Sequence, residues 1–327
     1  MTARANAVTD PTLICRRSWE ADELVRRWPP KFAHPNKKVV YDLACPPGTH
    51  HAGTVTSSRW TGGRLPTDVP QGRTLEVAGR PGFFDYARPA AGDATVHWHL
   101  NFADAHLFYA YGSSLFAQDE LQTAEHPALG SLREALLTDG DAGCAPLTED
   151  AQGPTPVLVS GVERRCHVDT GGLYGYRFAG ASAERLGEAT QRLDPPTISN
   201  ILAIAAPSSG RGAYKEEEIA RILRTAWAGF VAARQEAAAP VTIHTGFWGG
   251  GVFGGNRILM TALQVVAAHL ARIERIVFHL GQNPGDAHFF EAGCSMADAL
   301  LVPHPTTLHV IGAVVDQRLM WGKGDGN

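Results

Sequence analysis

This chain of 327 residues is poor in three things, and each scarcity removes a class of function. It has no polybasic tract. Lys and Arg number 29 against 33 Asp and Glu, a formal net charge of −4, so nucleic acid is not an expected partner. No apolar run approaches the length of a membrane span. The opening MTARANAVTDPT lacks the apolar core of a secretory leader, so a cytoplasmic location without a membrane partner is expected. Cysteine is sparse: Cys15, Cys45, Cys144, Cys166 and Cys294 are scattered and none forms a CxxC pair. Reduced thiols are expected, with no disulfide framework and no structural zinc. His97, His99 and His106 form one histidine-rich stretch, but no second cluster is evident to complete a metal site, and no metal or organic cofactor is expected.

The hydrophobic fraction of 44% and charged fraction of 19% are those of an ordinary globular protein long enough to bury a sizeable core. Alternation and apolar runs predict strands at Leu75–Val77, Val96–Phe102, Val157–Ser160, Ile198–Ala206, Val241–Thr245 and Ile276–Phe278. Helical spacing predicts helices near Trp19–Trp28, after Glu120, at Tyr214–Gln235, at Arg257–Ala271 and at Thr307–Leu319. Residues 1–12 read as disordered, and 31–71, rich in Pro, Gly, His, Thr and Ser, as an irregular lobe or packed arm.

Two stretches carry chemistry. In the first, the strand ending at Asn101 and Phe102 passes through a loop to Gln118, Asp119 and Glu120 at the start of a helix. Adjacent carboxylates at such a junction suit work on a sugar bond, one holding a proton while the other orients it or a hydroxyl. Carboxylates are also favoured at helix starts without any function. In the second, the strand ending at Thr245 runs into Gly246, Phe247, Trp248, Gly249, Gly250, Gly251, Val252, Phe253, Gly254, Gly255 and Asn256, and a helix follows. Glycines let backbone N–H groups approach an anion, and the helix start adds partial positive charge. The loop lacks the Lys-Ser/Thr ending of a Walker A motif and the spacing of a Rossmann fingerprint.

Both stretches resemble the poly(ADP-ribose) glycohydrolase family, a branch of the macrodomain fold. Asn101-Phe102-Ala103-Asp104, Phe108-Tyr109-Ala110 and Gln118-Asp119-Glu120 align without gaps with the family's Asp-Phe-Ala-Asn, Gly-Gly-Gly and Gln-Glu-Glu. Thr245, Gly246, Trp248, Gly249, Gly251, Phe253, Gly254 and Gly255 match its diphosphate loop position by position. Gly161-Val162-Glu163 and the Tyr-rich run after Asp169 resemble the family's adenine-stacking segment, with Tyr174 or Tyr176 in that role. The resemblance spans about Leu75 to Met320. It implies an α/β macrodomain-like mixed sheet flanked by helices at 73–327, with an accessory segment at 1–72.

It also implies hydrolysis of a ribosyl glycosidic bond in an ADP-ribosyl or related NAD-derived nucleotide. Glu120 would be the general acid/base and Asp119 its partner. Asp119 and Asp104 would hold ribose hydroxyls, Gly249 to Gly255 would bind phosphate, and Asn101, Gln118, Thr245, Gly246, Trp248 and Asn256 would contact substrate. A non-catalytic ADP-ribose-binding module is the rival reading, and oligomeric state is left open. The departures bear on substrate. Phe108, Tyr109 and Ala110 replace three glycines, Asp119 is one methylene shorter, Asn101 and Asp104 exchange the family's Asp and Asn, and Asn256 replaces an Asp. Side chains where bare backbone gripped the diphosphate imply a small substrate rather than polymer, with Phe108 and Tyr109 walling the site. A role in natural-product metabolism or NAD salvage would fit such a substrate.

Overall fold

The computed structural model describes residues 10–72, 74–87, 92, 94–208, 210–302 and 305–324. Of residues 1–12, expected to be disordered, 1–9 lie outside them, and the rest of that expectation is corrected: Thr12 N donates to Thr61 Oγ1 at 2.9 Å, Thr61 N to Thr12 O at 2.8 Å, and Gln235 Nε2 to Pro11 O at 3.1 Å. In chain order the elements are β1 (Leu13–Glu20), α1 (Ala21–Arg27), α2 (Pro35–Ala44), β2 (Thr54–Trp60), β3 (Glu76–Arg80) and β4 (Val96–Ala103). Then come α3 (Gln118–Glu125), α4 (Ala128–Thr138), β5 (Glu149–Asp150), β6 (Gly153–Pro154), β7 (Val157–Val168), α5 (Ala183–Ala189) and β8 (Thr190–Ala205). The chain continues through α6 (Glu216–Glu236), β9 (Val241–Thr245), α7 (Arg257–Leu270), β10 (Arg275–His279), α8 (Ala287–Leu300) and α9 (Thr307–Asp316).

Eight strands form one mixed sheet in the order β1-β2-β7-β8-β4-β9-β10-β3. β8, β4, β9, β10 and β3 run parallel, while β7, β2 and β1 add antiparallel strands at one side. The fold is therefore the mixed α/β sheet between helices expected from the sequence. β9 (VTIHT) is buried along its whole length, with His244 bonded to His97 and His279 and Thr245 to Gln264. The main core lies between the sheet and α6, α7 and α9, around Trp227, Phe230, Leu263, Phe278 and Trp248. A second core under α1 and α4 contains Leu24, Leu107, Phe108, Leu129 and Leu132.

The N-terminal segment differs most from expectation. Residues 31–71, read as irregular, hold α2 and β2, and β1 and β2 extend the same sheet through pairing with β7. β2 is rich in polar residues, yet buried. Its Arg59 donates to the carbonyl of Leu147 at 3.0 Å, to Asp150 at 2.8 Å and to Thr155 at 3.1 Å, so pairing replaces hydrophobicity as the reason for burial.

The cysteine expectation is corrected. Cys15 and Cys144 are disulfide-bonded, with Cα atoms 5.3 Å apart. Their sequence separation of 129 hides a proximity created by β1 lying over the turn Ala142–Cys144, where Arg17 donates to Asp141 at 2.9 Å. Cys45, Cys166 and Cys294 are free thiols. Among the described residues no helix is long and apolar enough to cross a membrane.

Candidate active site

The loops after β4, β8 and β9 leave the carboxyl ends of three adjacent parallel strands, the place where open α/β sheets take ligands. They are tied together by the backbone: the Ala206 amide donates to Ala103 O at 2.8 Å, and Gly249 lies so close to Pro207 that a Cβ there would meet its ring at 2.7 Å.

The acidic pair sits in the first turn of α3. Gln118 fastens that turn to β4: its Nε2 donates to Leu100 O at 3.0 Å and its Oε1 accepts from Phe102 N at 2.8 Å. One side chain thus extends the strand's ladder and fixes where the helix begins. Glu120 reaches back to accept from the Ala117 amide at 3.0 Å, satisfying an N–H the helix cannot. Asp119 Oδ1 accepts from Asn101 Nδ2 at 2.9 Å, and the second Asn101 proton goes to Gln122 Oε1 at 2.9 Å. Gln122 in turn donates to the Tyr86 hydroxyl at 3.0 Å.

Asp119 and Glu120 are both buried. Burial raises the proton affinity of each above the ordinary carboxyl range, and for Asp119 the Glu120 charge adds to it. Lys37 opposes the shift at both. Two buried carboxylates of like charge do not both ionise readily, so single ionisation of the pair is preferred to double. Asn101, a donor to Asp119 where a carboxylate would repel it, favours that single ionisation. Asp104 is half exposed and accepts from His106 N at 2.9 Å, closing a short turn at the rim.

Phe108 and Tyr109 part company. Phe108 adopts a left-handed backbone with φ of 51° and turns its ring wholly into the second core. Tyr109 is 65% exposed, with the Arg133 guanidinium 5.6 Å from its ring centre. The expectation of a wall built from both rings is corrected, because the backbone keeps the glycine-like φ and the first side chain then has only the core to enter. Tyr174 lies parallel to Phe83 at 5.8 Å and 8°, and Tyr176 is exposed.

In the glycine loop, Thr245 donates to Gln264 at 2.5 Å and Gln264 donates to Gly246 O at 3.0 Å. Trp248 is buried in the main core. The amides of Trp248, Gly250, Gly254 and Gly255 bond within the loop, and that of Asn256 donates to the Tyr214 hydroxyl at 2.9 Å. Those of Gly249, Gly251, Val252 and Phe253 meet no acceptor among the described residues. Asn256 caps α7 by accepting from Leu259 N at 3.1 Å. Much of the glycine content answers to the chain itself. A Cβ on Gly254 would meet Gly324 N at 2.7 Å, and one on Gly255 would meet Gly249 O at 2.6 Å. The segment Gly322–Gly324 crosses the loop there, anchored by Trp321 stacked on Tyr214 at 4.2 Å and by Gly322 N donating to Gly254 O at 2.8 Å.

The histidines do not converge on a point. They form a row across three strands: Thr95 Oγ1 to His97 Nε2 at 2.8 Å, His97 Nδ1 to His244 Nε2 at 2.9 Å, His244 Nδ1 to His279 Nε2 at 3.1 Å, and His279 Nδ1 to Phe83 O at 3.0 Å. A carbonyl only accepts, so His279 carries its proton on Nδ1. With neutral rings every bond upstream then takes the same sense. Burial lowers His244 to about 3 and lowers His279, so neutral rings are the stable form.

Residues 147–284 match the family model of the poly(ADP-ribose) glycohydrolase catalytic domain, macro domain fold. That match covers less than half of the chain, and similarity to this family is what it shows. The matched span takes in β7 to β10 and the glycine loop, and stops short of the acidic pair. Among solved structures, a point mutant of poly(ADP-ribose) glycohydrolase from Thermomonospora curvata is 17% identical over 86% of this chain and 84% of its own, with a TM-score of 0.47. The Deinococcus radiodurans poly(ADP-ribose) glycohydrolase bound to ADP-ribose is 12% identical over 86% and 95%, with a TM-score of 0.45. Its apo form is 12% identical over 88% and 94%, with a TM-score of 0.44. No curated protein matches the chain.

Reading the sequence alone missed Lys37, Phe83, Tyr86 and Gln122. Lys37 had a usable signal. Pro35 at a helix start, with Val40 and Ala44 three and seven residues beyond Lys37, marks a buried stripe that carries the lysine.

Proposed function

We propose that this glycohydrolase-like chain hydrolyses a ribosyl glycosidic bond in an ADP-ribosyl or related NAD-derived nucleotide, with Glu120 as general acid/base. The observation that carries this reading is the Asp119–Glu120 pair buried at the carboxyl end of β4, where burial raises the proton affinity of both. A protonated Glu120 gives its proton to the leaving group as positive charge develops on the ribose, then takes one from the attacking water. Asp119, held by Asn101, stays near the developing charge, and Asp104 at the rim is placed for a ribose hydroxyl. The open amides at Gly249 and 251–253, with the start of α7, supply the diphosphate grip. Tyr174, paired with Phe83, offers a face for the base.

A small nucleotide is favoured over polymer because Tyr109 stands exposed where the family has backbone alone. The test is mass spectrometry of a nucleotide panel (poly(ADP-ribose), mono-ADP-ribosylated protein, NAD and heterocycle-bearing nucleotides) against wild type and Glu120→Gln. The amide is nearly isosteric but cannot cycle a proton, so turnover should fall about 10²–10⁴-fold while binding survives. Wild-type rate in Glu120→Gln removes Glu120 from the chemistry. Release from polymer as efficient as from any small compound refutes the substrate preference. Tight ADP-ribose binding with no turnover of any panel member moves the chain to the binding-module class.

A further inference from the structure

α2 comes from the part of the chain with no motif, yet it is locked against the start of α3. The amides of Ala33 and His34 both donate to Gly112 O at 2.9 Å, and Gly112 approaches so closely that a Cβ there would meet Lys31 O at 2.4 Å. Asn36 Nδ2 donates to Phe178 O at 2.8 Å and Ala181 O at 3.0 Å. Between these anchors Lys37 is 2% exposed. Its Nζ donates to Tyr111 O at 2.9 Å and lies 5.3 Å from the centre of the Phe116 ring and 5.6 Å from that of Phe178. Phe116 immediately precedes Ala117, whose amide holds Glu120.

Lys37 makes no contact ion pair among the described residues. The charged groups that act on it are Glu120 and Asp119. An ammonium so buried is costly unless charge compensates it, and this compensation comes from the acid/base pair.

We propose that Lys37 is a positioning residue for the acid/base pair, its ammonium being the fixed counter-charge that lets one buried carboxyl ionise while the other keeps its proton. This rests on the reading of Glu120 above. With one shared proton the pair carries one negative charge, and Lys37 makes the cluster neutral. Without Lys37 the monoanion stands alone in an apolar surround, and both carboxyls stay protonated to higher pH. The site then keeps its acid but loses the ionised partner. Two other groups face the pair: Asp104, which opposes ionisation, and Arg133, which Asp119 favours in its charged form. Neither is buried as Lys37 is beside the first turn of α3. Burial lowers Lys37 itself to about 8, with Glu120 and Asp119 pulling the other way, so the counter-charge fades above that pH.

The test uses the full chain as Lys37→Met and Lys37→Arg, with side-chain carboxyl titration followed by carbon-13 NMR. In Lys37→Met the first ionisation of the pair should move up by about one to three pH units, and in Lys37→Arg it should stay near wild type. The acid limb of kcat/KM should move by the same amount. An unmoved carboxyl titration in folded Lys37→Met overturns the proposal. Should Lys37→Met not fold, Glu120→Gln decides the matter from the other partner. Removing that charge should lower the Lys37 amine further in a nitrogen-15 titration, and an unchanged amine overturns the proposal. Both titrations are read without turnover. A shifted carboxyl in a chain that hydrolyses no ribosyl nucleotide keeps the role of Lys37 and discards the catalytic reading.

Discussion

Phe108→Gly tests how a side chain can stand at a glycine position without entering the site. The ring is wholly buried in the second core, and truncating such a phenylalanine costs roughly 3–5 kcal/mol. Glycine adds about 0.5–1 kcal/mol of chain entropy to that loss. Against it stands the left-handed φ of 51°, which costs a non-glycine residue about 1–2 kcal/mol and costs glycine almost nothing. The net expectation is a loss of about 2–4 kcal/mol. Unfolding entropy of about 2.1 cal/mol/K per residue over 327 residues makes each kcal/mol worth roughly 1.5 °C, so Tm should fall by about 3–6 °C. Tyr109→Gly removes a ring that is 65% exposed and should cost under about 1 kcal/mol. Scanning calorimetry on both variants, with kcat/KM on one nucleotide, separates the effects. Tyr109→Gly should change KM with little change in Tm, and Phe108→Gly the reverse. A Phe108→Gly variant that melts at or above wild type refutes the core assignment of the ring.

Val252→Pro removes one open amide from the glycine loop. Loss of a hydrogen bond to an anion should weaken ADP-ribose binding about 10–100-fold by calorimetry, and equal affinity would leave the loop structural. Reduction of the Cys15–Cys144 bridge releases a constraint across 129 residues, worth up to about 5 kcal/mol, so dithiothreitol should lower Tm measurably. Glu125 is buried, and its ion pair with Arg164 at 2.8 Å, together with His167, outweighs burial and lowers its folded pKa. Its contribution is present above the unfolded carboxyl pKa and should be lost as pH falls through the lowered value. Glu125→Gln should therefore melt lower than wild type near neutrality and converge with it in acid. The Asp119–Glu120 pair has the opposite sign. Its raised pKa values give stability that is complete below the unfolded carboxyl range and is lost as pH rises through the folded values. Glu120→Gln should consequently flatten the alkaline side of the stability profile, and an unflattened profile would mean that the carboxyl is not held protonated.

The two chemical stretches were legible because their signals are local. An alternating strand at Val96–Phe102 and the short strand VTIHT before a glycine run each name their own element. The burial of Lys37 was legible in its helical stripe, but its surroundings were not, because they are built from Gly112, Phe116 and Phe178, none of them near it in sequence. β2 was illegible because TVTSSRW shows no apolar face, and only pairing on both sides buries it. The split between Phe108 and Tyr109 turns on one φ angle, which no composition reports. Much of the glycine signal has a structural cause: Gly254 and Gly255 serve the loop and the segment that crosses it, while the amides at 251–253 meet no acceptor among the described residues.

The row from Thr95 through His97, His244 and His279 to the Phe83 carbonyl gives the interior of the sheet a vector. Three N–H arrows point one way because the last of them ends on an atom that can only receive. That carbonyl is what fixes the proton of His279 on Nδ1. Phe83 belongs to the loop that meets Tyr174, so the polarity of the sheet interior is set from a surface loop that also carries a candidate base-stacking face.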